Sequence, residues 1–131
     1  MSDPSPAPSL EQLQSQARRL AFFLIEMTPT DAWAPASAAR RKALLREHLL
    51  WQAEQEREGR LLLAGPVDHD LTEGHGLAVI RARSREEAEQ LAATEPFVRE
   101  GLRANTVRSW TVNEGSITVS IQLFNGQAEL R

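Results

Sequence analysis

The chain has no cysteine, which excludes disulfides, zinc–thiolate sites and thiol nucleophiles and suits a reducing, cytoplasmic setting. It has no uninterrupted apolar run near the roughly 20 residues that a membrane-spanning helix needs, so no membrane partner is expected. It also lacks a basic excess. A formal net charge of −3 and a pI near 5.6 leave no basic face for nucleic acid, so that partner is not expected either. The opening Met1–Ser9 lacks the charged and apolar halves of a signal peptide. Phosphate-loop and nucleophile-elbow motifs are missing too: Gly74-His75-Gly76 is too short for the first, and no Gly-x-Ser-x-Gly occurs. No cofactor is therefore expected.

What is present describes one small globular domain. The 131 residues suffice for one core, and 41% hydrophobic with 25% charged residues is ordinary for such a domain. Pro4, Pro6 and Pro8 oppose regular structure, so residues 1–9 read as a disordered tail, followed by a short helix over Leu10–Arg19 with Ser9 as its cap. Residues 1–19 are then an N-terminal extension and residues 20–131 the folded domain. Leu20–Met27 is a short apolar run closed by Thr28-Pro29, which reads as a buried strand. A helix follows over Ala38–Glu58, with Leu44, Leu45, Leu49 and Trp51 at helical spacing and Gly59 as its stop. Leu61–Val67 and Leu77–Arg83 read as the second and third strands. Ser84 and Glu87 have capping-box spacing for a second helix, which Glu95-Pro96 ends, and Phe97–Gly101 adds a turn. Residues 104–113 form a fourth strand, and Ile117, Val119, Ile121 and Leu123 alternate in a half-buried C-terminal fifth.

The order β-α-β-β-α-β plus a terminal strand predicts an α+β, ferredoxin-like sandwich with both helices on one sheet face. The first strand is apolar on both sides, with Leu20, Phe22 and Leu24 alternating with Phe23 and Ile25. Its second face needs a cover, and a second copy of the chain is the expected one, giving a symmetric homodimer.

His48 shares a helix face with Leu44, Leu45, Trp51 and Gln52, so it points inward or into a groove. An imidazole there can act as general acid or base; the plain alternative is a buried histidine satisfied by a backbone carbonyl. Arg40, Arg41 and Lys42 crowd the helix start and Glu54, Glu56 and Glu58 its end. Each placement opposes the helix dipole by about a few tenths of a kcal/mol, which makes sense if the start faces an anion. Gly65-Pro66 turns the chain where a ligand can approach closely. The loop Asp68-His69-Asp70 through His75 could line a pocket mouth, with Asp68 and His69 as secondary acid–base groups. Neither a helix nor a strand fixes the spacing of His69 and His75, so no metal is assigned to them.

Several segments resemble the YCII-related (YciI-like) domain family: Arg46-Glu47-His48-Leu49, then Glu58-Gly59-Arg60 running to Ala64-Gly65-Pro66. The likeness continues through Glu86-Glu87-Ala88, Thr94-Glu95-Pro96-Phe97 and Arg108-Ser109-Trp110 to Glu114, covering about residues 20–114. The resemblance implies a dimeric α+β barrel, an architecture shared with muconolactone isomerase-like proteins. It implies a pocket near the dimer interface, with a catalytic histidine at His48 and an acid at Glu95 that orients it. The family acid is usually aspartate. Glutamate keeps the charge but moves the carboxylate outward, and a misplacement of about 1 Å can cost a dyad roughly a hundredfold in rate. Arg41, two turns before His48, is implied as an anchor for substrate anion; Gly65, Pro66 and His69, singled out above from the residues themselves, are expected to bind substrate beside the same pocket. The expected function is acid–base chemistry (isomerisation, elimination or dehydrohalogenation) on a small, anionic, cyclic metabolite. A non-enzymatic dimeric binding or accessory module is the alternative. Muconolactone isomerase proper would form a larger ring.

Overall fold

A computed structural model describes residues 6–16, 19–124 and 127–130. The elements in chain order are α1 (Leu10–Gln16), β1 (Leu20–Pro29), α2 (Ala38–Arg57), β2 (Leu61–Pro66), β3 (Gly76–Ile80), α3 (Arg85–Ala93), α4 (Pro96–Arg99), β4 (Arg103–Val112), β5 (Val119–Gln122) and β6 (Gln127–Leu130). The chain divides into two units, residues 21–111 and the two ends taken together.

In the central unit four strands form one sheet in the order β2-β3-β1-β4, the ferredoxin-like arrangement. β3 pairs antiparallel with both neighbours: Phe23 to Met27 face Ile80 to Gly76, and Leu61 to Pro66 face the same strand across a bulge between Leu61 and Leu63. The helices start where the sequence supplies oxygen caps. Ser37 Oγ accepts from Arg40 N–H at 3.1 Å, and Ser84 Oγ accepts from Glu87 N–H at 3.1 Å.

Two apolar clusters hold the unit. Ile25, Met27, Ala78 and Ile80 of the sheet meet Ala88 and Ala92 of α3. Alanines one turn apart leave no bulk between helix and sheet, so their backbones approach closely. The second cluster joins Leu44, Phe97 and Leu102, with Trp33 and Ala36 packed against it. Burying each of the larger side chains stabilises the fold by about 1.5–3 kcal/mol. Phe97 lies at the junction of α2, α4 and the start of β4, which is also where the polar site forms.

Gly74 illustrates how closely the β2–β3 loop is seated. Its φ is +84°, and a Cβ there would stand 3.1 Å from the Trp33 ring. Gly59, at φ +73°, would meet nothing within 4 Å. Both alanine variants carry the left-handed backbone cost of about 1–2 kcal/mol, but Gly74→Ala must also displace the indole. Urea unfolding should therefore find Gly74→Ala the less stable of the two. Equal losses would mean that Trp33 yields freely.

The terminal unit departs from the sequence expectation in one respect. The single C-terminal strand is instead a hairpin, in which Val119 to Gln122 pair with Leu130 to Gln127 in a separate two-stranded sheet. Ile117 and Leu123 lie outside the strand and are exposed. The dipeptide Asn125-Gly126, the strongest short hairpin signal, was the cue to the second strand. At the other end, α1 carries a full capping box: Gln12 N–H donates to Ser9 Oγ at 3.1 Å, and Ser9 N–H donates to Gln12 Oε1 at 2.8 Å. Of the expected tail, residues 1–5 lie outside the described residues, as do positions 17–18 of the expected helix.

Candidate functional site

The site begins at the start of α4. A single-turn helix needs its first N–H groups satisfied from outside, and Pro96 at its first position removes one of them. Glu95 is the cap, with Oε2 accepting from Val98 N–H at 2.9 Å. The other oxygen, Oε1, faces α2 and meets His48 Nδ1 at 2.7 Å. The extra carbon of glutamate therefore does not break the contact. The carboxylate is fully buried and the histidine side chain is 13% exposed. A second link fixes the spacing between these elements, since the Trp51 indole N–H donates to Thr94 Oγ1 at 2.9 Å.

The charge state of Glu95 sets the proton on His48. Burial alone would raise the carboxyl pKa. The His48 hydrogen bond, the Val98 N–H, the charge on His48 and the Phe97 N–H outweigh it, and the pKa is lowered. An ionised carboxylate only accepts, so Nδ1 carries the hydrogen. In the neutral ring Nε2 then holds the lone pair, which accepts from Gln52 Nε2–H at a long 3.4 Å. The Gln52 Oε1 atom is buried without a partner.

Behind the pair stands Arg103, the first residue of β4. Its Nη1 is 3.8 Å from Glu95 Oε1, close enough for charge attraction but too far for a hydrogen bond. Its guanidinium carbon lies 4.6 Å from the Phe97 ring centre and 5.4 Å from that of Trp33. Burial lowers the Arg103 pKa and the nearby Glu95 charge opposes that. Phe97 also flanks His48, with ring centres 5.9 Å apart.

His48 and Arg103 open onto a cavity of about 610 Å³. One wall is apolar, from Met27, Leu45, Leu49 and the leucines of β2; Gly65 and Pro66 also line it, and Gln52, Glu56 and His75 add polar groups. That volume lies within the usual range for a small-molecule site. Of the residues singled out in the sequence, His48, Gly65 and Pro66 line this cavity, and Glu95 sits behind His48. Arg41 lies apart from the lining, with Nη1 donating to Trp33 O at 3.3 Å. His69 is exposed in the β2–β3 loop, also outside the lining. His75 of the same loop does line it, with Nε2 3.8 Å from Glu26 Oε2. Among the described residues, no three His, Cys, Asp or Glu side chains gather to hold a metal ion.

Sequence reasoning missed Arg103. The signal was available in strand alternation: Val107 faces the core, and Arg103 is four residues earlier on the same side. A charge at a core-facing position is the informative exception.

The model of the YCII-related domain matches residues 21–111, more than half of the chain and the whole of the central unit. No curated protein matches the chain.

Proposed function

For a chain that belongs to the YCII-related domain family, we propose acid–base catalysis on a small cyclic metabolite, carried out by His48 in the β2–α2 cavity. The 2.7 Å contact between His48 and Glu95, at the wall of that cavity, supports this reading above all. His48 Nε2 takes a proton from a carbon made acidic by a neighbouring carbonyl. The C–H electron pair moves into the enolate, or expels a leaving group such as halide. The imidazolium then returns the proton at another carbon (isomerisation) or releases it to water (elimination). Glu95, out of reach of any ligand, is a positioning residue: it selects the tautomer and stabilises the imidazolium. Gln52 Nε2–H, which donates to Nε2 at 3.4 Å in the unliganded ring, gives way to the substrate C–H when the base acts.

Two measurements test the reading. The first is the tautomer, by nitrogen-15 NMR of labelled histidine while the ring is neutral. Wild-type His48 should carry its hydrogen on Nδ1. In Glu95→Gln the amide oxygen can keep the Val98 N–H, so the NH₂ group faces Nδ1 and the hydrogen should move to Nε2. A ring indifferent to the substitution would show that the pair does not set its protonation. The second is a panel of small cyclic ketones and keto acids in D₂O, scored by deuterium uptake at carbon. Uptake that depends on His48 supports the enzyme; a panel that binds without exchange favours the non-enzymatic binding module.

A further inference from the structure

The Arg103 guanidinium is built into the site yet left short of partners. Both Glu95 oxygens are already engaged, one by His48 at 2.7 Å and one by Val98 N–H at 2.9 Å. The nearest Arg103 nitrogen stands back at 3.8 Å, and Arg103 Nε is buried with no hydrogen-bond partner. The side chain is 11% exposed. A guanidinium offers five N–H donors in one plane, and leaving them unsatisfied in a buried site is costly. Phe97 and Trp33 lie against the group, so its donors are presented edge-on rather than through its faces. The same side chain lines the cavity that His48 opens onto.

We propose that Arg103 is the oxyanion-binding residue of this cavity, taking a planar carboxylate or an enolate or phenolate oxygen of the ligand through its in-plane N–H groups. A neutralising partner for Glu95 alone would not explain the geometry, because such a partner would close to hydrogen-bond distance. Glu95 and Arg103 cancel in charge and the lining also carries the Glu56 carboxylate, so an incoming oxyanion is held by the spare guanidinium donors rather than by a net positive field. Placed there, the oxyanion also lies beside the imidazole that moves the proton. This assigns a substrate class to the acid–base reading and rests on it only for the chemistry, since oxyanion binding needs no turnover.

The test uses benzoate as probe and benzamide as its neutral counterpart, on the full chain with nitrogen-15-labelled arginine. Benzoate should shift the Arg103 guanidinium Nη–H resonances and bind at least about tenfold more tightly than benzamide, a difference of about 1.4 kcal/mol. Arg103→Met should abolish that preference. Arg103→Lys should keep part of it, and Arg108→Met, which removes an exposed charge elsewhere on β4, should keep all of it. The proposal is overturned if benzoate leaves the Arg103 guanidinium Nη–H resonances in place, bound or not. It is also overturned if the two probes bind alike, or if the preference is lost with Arg41→Met and not with Arg103→Met. The wild-type shift decides the matter even if Arg103→Met fails to fold. Oxyanion preference without any deuterium exchange would retain Arg103 in this role and remove the acid–base reading. Exchange without the preference would do the reverse.

Discussion

His48→Asn should lower the rate of proton exchange by about 10²–10⁴-fold while leaving the fold nearly intact. Asparagine is the informative replacement because its amide nitrogen falls near the position of Nδ1. It can donate to Glu95 Oε1 as the ring does, so the buried carboxylate keeps its partner. The structural cost is then confined to lost contact with Phe97 and a slightly poorer helix former, about 1 kcal/mol or less. What asparagine cannot supply is the lone pair at Nε2. Kinetics with whichever probe the wild type exchanges should show kcat falling and KM unchanged, since the amide removes a group used in the transition state rather than in binding. A rate within a few-fold of wild type would remove His48 from the chemistry, whatever its tautomer.

How much of this was legible in the sequence follows from the range of the interactions involved. Short-range signals were read well: Ser84 caps the helix expected of it, and Gly59 stands just past the end of α2. Periodicity placed Leu44, Leu45, His48, Trp51 and Gln52 on one helix face; the structure buries Leu44 and Trp51 and leaves Leu45 exposed at the cavity. Contacts between distant segments were harder to read. His48 and Glu95 are 47 residues apart, and only a family resemblance coupled them. Glu95-Pro96 read as the end of a helix, whereas the same dipeptide caps the next one, and the cap is what aims the carboxylate. Arg41 and Arg103 differ in another way. The family resemblance pointed to Arg41 as an anchor, and its guanidinium donates to the Trp33 carbonyl, while Arg103 enters the cavity from a strand. At the C-terminus, the alternating pattern revealed one strand and hid the partner that follows Asn125-Gly126.

Glu95→Ala should be among the most destabilising single substitutions in the central unit, by about 3–5 kcal/mol. Three losses coincide. The α4 cap disappears, worth about 1 kcal/mol, because Val98 N–H loses the Glu95 oxygen it donates to. His48 Nδ1 loses its acceptor. Arg103 keeps a buried charge with no counter-charge at 3.8 Å, and this last loss is the largest. Acid should reproduce part of the effect in the wild type. The folded-state pKa of Glu95 is lowered, so the unfolded chain binds its proton first as pH falls. The stability Glu95 contributes is therefore complete above the unfolded value, about 4.3, and is lost as pH falls through the folded value. Urea unfolding of wild type and Glu95→Ala across that window should show the gap between them narrowing toward low pH, with the variant's acid slope the shallower. A gap that stays constant would mean that the carboxylate's charge adds nothing beyond its shape. In that case the cap and the packing around Phe97, not the ion pair with Arg103, would hold this corner of the fold together.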